Sequence, residues 1–212
     1  MRKRTKNVFA GLCIVLGIAI MAVPFYYHFH GQNKTDKLIE QFEKTLEDNK
    51  DETEKSKKED KDQTTLNKED AALLSEEDVI GIIEIEAIDI RYPVLEGAGD
   101  SQIRYAIGHI SETAGLGEKG NCVLCGHNGS RNGTFFTNLN QLNIGDEVKI
   151  TDKKGNVHMY EVADTYVIGP YDNTVKNQTE EEILTLLTCA NKGTKRFICR
   201  CIPVKEAGEM DE

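Results

Sequence analysis

The sequence predicts an all-β fold, a closed or nearly closed barrel of some seven or eight short strands with a few short helices. Short runs of β-forming residues recur between residues 79 and 204, and turns rich in Gly, Asn and Asp separate them. Only residues 100–108 and 134–142 resemble short helices. Many short strands within about 125 residues favour a barrel, because closure removes exposed sheet edges.

The first residues of the chain predict a membrane anchor. Residues 1–7 are strongly basic, and residues 8–28 contain no Asp, Glu, Lys or Arg. About 20 apolar residues span the hydrocarbon core of a bilayer as a helix. The basic tail should stay in the cytoplasm, which would place the rest of the chain outside the cell in a single-pass orientation. A cleaved signal peptide is the alternative interpretation.

A charged segment, residues 29–78, separates this span from the barrel. It is dense in Lys, Glu and Asp and too poor in apolar residues to form a core, so we expect a spacer that is partly helical or disordered. Leu38, Phe42 and Leu46 recur at helical spacing and predict one short helix. Mixed charge signs and a net charge of −10 argue against nucleic acid as a partner.

The predicted barrel domain covers residues 79–205, and an acidic tail, residues 206–212, follows it. Two short strands are expected within residues 79–97, one on each side of Ala87. The further strands are expected in sequence order at residues 121–127, 146–151, 158–169, 183–189 and 195–204. Val and Ile are frequent in these runs, as is typical of residues that pack a pleated surface.

Five of the six cysteines lie in predicted strands: Cys122, Cys125, Cys189, Cys199 and Cys201. An odd number cannot all pair, so at least one thiol should be free. Cys122 and Cys125 should point to opposite faces of a strand, which weakens the case for a shared zinc site. A disulfide is the other alternative, but small buried apolar side chains are the favoured interpretation.

The sequence predicts no cofactor. Acidic residues that could bind calcium are present in the loops, including Glu112, Glu118 and Asp172. Acidic loop residues are usually only solvated, so a calcium site stays open as an alternative and is not predicted.

The chain offers two histidines that follow Gly inside the barrel domain, His109 and His127. His127 ends an apolar strand and enters a loop rich in Gly and Asn, so its backbone would be anchored while its ring faces a cleft. Cys189 also ends an apolar strand. The next strand returns cationic side chains to its neighbourhood, and cations favour the reactive thiolate. Cys189 with His127 is therefore the candidate catalytic pair.

Several motifs in chain order resemble those of the sortase family. "TLLTC" at 185–189 is similar to the T-L-x-T-C signature, and "KRFIC" at 195–199 is similar to the arginine strand that follows it. Residues 107–129 and 134–150 resemble the stretches that surround the family's histidine. The resemblance covers about residues 79–204. Features of class A or D and of class B both occur, so the class stays open.

The resemblance implies a sortase-type barrel and a cysteine transpeptidase. Cys189 would attack a carbonyl of a surface-protein sorting signal, such as L-P-x-T-G, and form a thioacyl enzyme. His127 would act as general acid and then base, and Arg196 would bind the substrate backbone and the oxyanion. Thr188 would contribute to substrate binding beside the nucleophile. Arg200, on the same strand as Arg196, is the other candidate for the arginine role.

The resemblance also implies the partners: a sorting-signal peptide, and an amine of a cell-wall precursor or a pilin as acceptor. The membrane would be contacted through the N-terminal helix. Two other functions stay open at this point. One is an extracytoplasmic Cys/His cell-wall peptidase, and the other is a non-enzymatic anchored barrel that binds a peptide or metal.

Overall fold

The computed structural model describes residues 35–47, 78–129 and 135–204. Within these ranges, eight strands form a closed barrel with the neighbour order β1-β2-β3-β4-β7-β8-β6-β5. The strands are β1 (Val79–Ile85), β2 (Ile90–Glu96), β3 (Ile107–His109), β4 (Gly120–Gly126), β5 (Glu147–Asp152), β6 (Val157–Ile168), β7 (Glu182–Ala190) and β8 (Lys195–Pro203). The predicted all-β closed barrel is confirmed.

Two α-helices accompany the barrel in the described ranges: α1, residues 35–47, and α2, Asp100–Ile103. Single 3₁₀ turns lie at Glu86–Ile88, Leu139–Gln141, Asn173–Lys176 and Asn191–Gly193. The expected helix at residues 134–142 was wrong in its extent, because turns occupy residues 135–138 and only a single 3₁₀ turn, Leu139–Gln141, follows. The prediction also missed β3, whose residues lie partly in the stretch expected to be helical. A strand of three residues is too short for its hydrophobic period to show in the sequence.

The barrel interior follows the alternation of side chains along the strands. On β7 and β8, buried residues of the core include Leu184, Leu186, Cys199 and Cys201, and Leu124 of β4 joins them. Because successive side chains point to opposite faces, the residues between them point outward. The outward face of β4, β7 and β8 therefore holds the candidate catalytic residues, while the core fixes the strands beneath it.

Helix α1 packs against the barrel. Ile39 and Phe42 form a buried cluster with residues of β1 and β2, including Ile82 and Leu95. A salt bridge between Arg91 and Glu43 lies beside this contact. Part of the charged segment between residues 29 and 78 thus covers an apolar strip of the barrel.

His109 lies in a buried polar contact and not beside Cys189. Its Nδ1 is 3.0 Å from Oε2 of Glu96, and its Nε2 is 2.9 Å from the carbonyl oxygen of Ala114. Burial alone would raise the pKa of Glu96, but hydrogen bonds from Ser111 and His109 outweigh it and lower that pKa. The two ring nitrogens of His109 thus join Glu96 of β2 to the loop between β3 and β4, so His109 has a structural role.

No helix within residues 35–47, 78–129 or 135–204 is long and apolar enough to cross a membrane. The predicted anchor at residues 8–28 lies outside the described residues, as do the tails at residues 1–7 and 206–212.

Candidate active site

The strand register brings the three predicted catalytic residues to one end of the outward face. β4 and β7 are parallel, and their ladder ends with Gly126 opposite Thr188. His127 and Cys189 are the next residues along the two strands. β7 and β8 are antiparallel, and there Cys189 pairs directly with Arg196. Backbone pairing thus gathers His127, Cys189 and Arg196 at one place, although Cys189 and Arg196 lie 62 and 69 positions after His127 in sequence.

Two side-chain hydrogen bonds hold the strand ends together at this point. The Thr188 hydroxyl donates to the carbonyl oxygen of Gly126 at 2.8 Å, and Thr188 is only 1% exposed. Nδ2 of Asn128 donates to the carbonyl oxygen of Cys189 at 2.6 Å. These bonds, on either side of the His127–Cys189 pair, fix the separation of the two backbones. Asn128 escaped the sequence reasoning, because an Asn after a strand usually indicates only a turn.

Thr188, which the sequence predicts to contact the substrate, is buried beside Cys189. Its side chain points toward the barrel interior, and its hydroxyl is used by the Gly126 carbonyl. A buried hydroxyl with this partner supports the strand ends and does not face the outward surface. We therefore interpret Thr188 as a residue that positions Cys189.

The two candidate arginines differ in their distance from Cys189. Arg196 is its direct partner on β8, whereas Arg200 pairs with Thr185 of β7 and Asp164 of β6. Four residues of strand separate the two arginines, which is about 13 Å. Nη1 of Arg196 donates to the carbonyl oxygens of Gly193 and Lys195 at 2.9 and 3.0 Å. The turn between β7 and β8 thus holds the guanidinium near the end of the strand.

That turn contains three successive residues with left-handed backbone. Asn191, Lys192 and Gly193 have φ of 47°, 55° and 88°. Gly adopts this conformation without steric penalty, whereas Lys has a Cβ that contacts its own backbone. The turn that sets the Cys189–Arg196 pair therefore contains strained residues.

Gly193→Ala should destabilise the protein by about 1 to 2 kcal/mol, because an added Cβ is disfavoured at this φ. Nothing lies within 4 Å of the position that this Cβ would occupy, so backbone conformation is the sole source of the penalty. Lys192→Gly is the matched control, and it should leave the free energy of unfolding unchanged or raise it by under about 1 kcal/mol. Urea unfolding of both variants measures this. Equal effects of the two substitutions would contradict it.

A partly exposed apolar floor adjoins Cys189 on the outward face. Cys125 of β4 pairs with Leu187 of β7, one outward-facing position before His127 and Cys189. Val123, the preceding outward-facing position on β4, is fully buried, and so is Ile198, which pairs with Leu187 on β8. The segment between β6 and β7 lies over this region, where Nδ2 of Asn121 donates to the carbonyl oxygen of Val175 at 2.8 Å. The exposed part of this floor is therefore limited to Cys125 and Leu187, which lie next to the candidate catalytic residues.

Burial raises the pKa of the Cys125 thiol to about 11, and the nearby Cys189 adds to the effect. The thiol of Cys125 is therefore neutral near pH 7. It lines the floor as a small apolar group beside the candidate nucleophile.

Aromatic residues lie beside His127. The rings of Phe135 and His127 are in an edge contact with centroids 6.3 Å apart, and Phe135 stacks on Tyr92 at 4.9 Å. Both aromatic residues escaped the sequence reasoning. Their positions 43 residues apart in sequence give no signal of a shared site.

The candidate calcium ligands are separate and have other partners. Nζ of Lys176 donates to Glu112 at 2.9 Å, Asp172 accepts from the backbone of Thr174, and Glu118 accepts from the backbone of Gly115. In the part of the chain that the structure describes, no group of three or more His, Cys, Asp or Glu side chains is placed to hold a metal ion. All five cysteines of the barrel are free thiols.

A cysteine, a histidine and an arginine that converge at the edge of a barrel are the groups expected of a cysteine enzyme of acyl transfer: a nucleophile, a proton carrier and a cation for the oxyanion. A family profile described as the sortase domain matches residues 83–204. The chain belongs to the sortase family of cysteine transpeptidases.

Individual relatives agree with this assignment. Sortase A of Bacillus anthracis is 27% identical over 199 residues, which is 93% of each chain. Sortase D of Bacillus subtilis is 29% identical over 124 residues, covering 56% of this chain and 60% of the relative. Among solved structures, the Sortase D5 transpeptidase of Clostridium perfringens has a TM-score of 0.60 and 29% identity. That match covers 82% of this chain and 98% of the other.

Proposed function

We propose that this protein is a membrane-anchored sortase that cleaves a C-terminal sorting motif of surface proteins and transfers the acyl part to an amine. The observation that supports this is the register that puts Cys189 beside His127 on one side and Arg196 on the other. The three residues come from three strands, so backbone pairing sets their spacing. That spacing suits a nucleophile, a proton carrier and an oxyanion ligand.

In the first half-reaction, the Cys189 thiolate attacks the carbonyl carbon of the scissile peptide bond. Arg196 donates to the oxyanion that forms, and the C–N bond then breaks as His127 gives its proton to the leaving amine. The products are a thioester on Cys189 and the released C-terminal fragment. Negative charge develops on the carbonyl oxygen only during attack, so a cation held nearby favours the transition state over the substrate.

In the second half-reaction, an amine attacks the thioester carbonyl while His127 accepts a proton from it. The C–S bond breaks and the thiolate of Cys189 is restored. The amine would belong to a cell-wall precursor or to a lysine of a pilin. A membrane anchor at residues 8–28 would keep the barrel outside the cell, where protein and acceptor meet, and would raise their effective concentration.

The test is incubation of the full chain in detergent with fluorogenic sorting peptides of the L-P-x-T-G and N-P-x-T-N types, with and without an amine acceptor. We expect cleavage, a peptide–amine product, and a thioacyl adduct on Cys189 by intact-mass analysis. Cys189→Ala should lower the rate by at least about 10³-fold while leaving thermal unfolding unchanged. Cleavage that needs no acceptor and releases only acid would favour a peptidase, and cleavage by Cys189→Ala would reject the proposal.

A further inference from the structure

Phe135 has a backbone conformation that is rare for a bulky residue. Its φ is 53°, in the left-handed region that Gly, Asn and Asp adopt more readily. Strain of this kind persists only where the surroundings enforce it. Here the next residue supplies a constraint, because the backbone N–H of Phe136 donates to the carbonyl oxygen of His127 at 3.1 Å. The strained residue is therefore tied to the candidate catalytic histidine.

The ring of Phe135 lies between two partners. On one side it stacks on Tyr92, with centroids 4.9 Å apart and planes 26° apart. On the other it meets the imidazole of His127 at 6.3 Å and 74°. Both geometries are favourable for aromatic pairs. Burial raises the pKa of Tyr92, against the opposing effect of a hydrogen bond with the Phe135 backbone. Tyr92 is therefore held against Phe135 by the ring stack.

His127 itself is exposed, and within residues 35–47, 78–129 and 135–204 neither ring nitrogen has a hydrogen-bond partner. In many cysteine and serine enzymes, the histidine is oriented by a hydrogen bond that its ring N–H donates to a carboxylate or amide oxygen. In the described ranges, His127 has a ring contact with Phe135 where those enzymes have a hydrogen bond. A contact with Phe135 restricts rotation of the imidazole without binding either nitrogen.

We propose that Phe135, supported by Tyr92, is a positioning residue that orients the imidazole of His127 toward Cys189. The inference deepens the proposed function, since the orientation matters only if His127 transfers protons. A histidine that must first donate a proton to one amine and then accept one from another gains from an apolar support. In the part of the chain that the structure describes, no hydrogen-bond partner competes for its proton in either step.

The strained φ fits this role. A relaxed backbone at residue 135 would turn the ring direction away from the one observed, because the Cα–Cβ bond direction follows φ and ψ. The backbone hydrogen bond from Phe136 to His127 and the ring stack with Tyr92 keep the ring where it is. The strain is therefore maintained beside the candidate catalytic residue, as is common for active sites.

The kinetic test compares Phe135→Leu and Phe135→Gly with the wild type in the peptide–amine assay. Both variants remove the ring, and the second also relieves the strain at this φ. We expect kcat to fall on the order of tenfold with KM changed less than about twofold, because misorientation affects the chemical step more than binding. Phe197→Leu is the matched control for lost packing, since Phe197 packs against the same core and has no ring contact with His127.

The second readout does not depend on activity. In the NMR spectrum of histidine-labelled protein, the carbon-bound ring protons of His127 are assigned by their loss in His127→Gln. They should move in Phe135→Leu by more than in Phe197→Leu, and their relaxation should show a more mobile ring. Unmoved signals, or a kcat loss no greater than in Phe197→Leu, would overturn the inference. If wild type proves inactive on every peptide, the proposed function fails while the NMR result still decides the positioning role.

Discussion

Arg196→Ala should lower kcat/KM for the peptide–amine reaction by about 10²- to 10³-fold, whereas Arg200→Ala should stay within about twofold of wild type. The reason is geometric. Arg196 pairs directly with Cys189, while Arg200 lies opposite Thr185, four residues down the strand. Only a guanidinium beside the nucleophile can donate to an oxyanion formed there. Steady-state kinetics of the two variants on one sorting peptide measures the difference.

Arg196→Lys distinguishes charge from geometry. Lysine keeps the positive charge but lacks the planar fork of donors, so we expect activity between those of wild type and Arg196→Ala. Thermal unfolding of all three variants controls for folding, because Nη1 of Arg196 also donates to two carbonyls of the β7–β8 turn. Equal losses for Arg196→Ala and Arg200→Ala would assign no special role to Arg196.

The fold was predictable because its signals are local. Apolar runs and turns rich in Gly and Asn locate seven of the eight strands to within one or two residues, and the exception, β3, pairs over only three. The closure of the barrel could be expected from the number of strands. The packing of α1 on β1 and β2 could not, because its apolar face predicts a buried surface without indicating which strand covers it.

The convergence of the candidate site residues was predictable in part. Cys189 and His127 each end an apolar strand, and family motifs identify both of them and Arg196. The supporting contacts have no such signal. The bond from Asn128 to the Cys189 carbonyl, and the stack of Tyr92 on Phe135, arise only when β4, β7, β2 and the loop after His127 meet in space. Likewise, the burial of Thr188 depends on the face that the register gives it.

Iodoacetamide at pH 8 should modify Cys189 on the order of 10²- to 10³-fold faster than Cys122 or Cys125. Burial raises the pKa of Cys125 to about 11 and that of Cys122 to about 12. A thiol three units below its pKa is about one part in a thousand thiolate, and four units below it about one part in ten thousand. Cys189 is partly exposed and lies at the end of its strand, so the reagent reaches it without unfolding.

The pH dependence of the alkylation rates distinguishes an effect of thiol ionisation from an effect of solvent access. Because the raised pKa keeps Cys125 neutral at pH 8, its thiolate fraction should rise about a hundredfold between pH 8 and pH 10, and its alkylation rate should follow. Peptide mapping by mass spectrometry measures each cysteine separately, and guanidinium-unfolded protein supplies the reference rates. Cys189→Ala should lack the fast phase while retaining the slow ones. A Cys189 that alkylates as slowly as Cys125, and accelerates only on unfolding, would make it a packed residue and would remove the nucleophile on which the proposed transpeptidase depends.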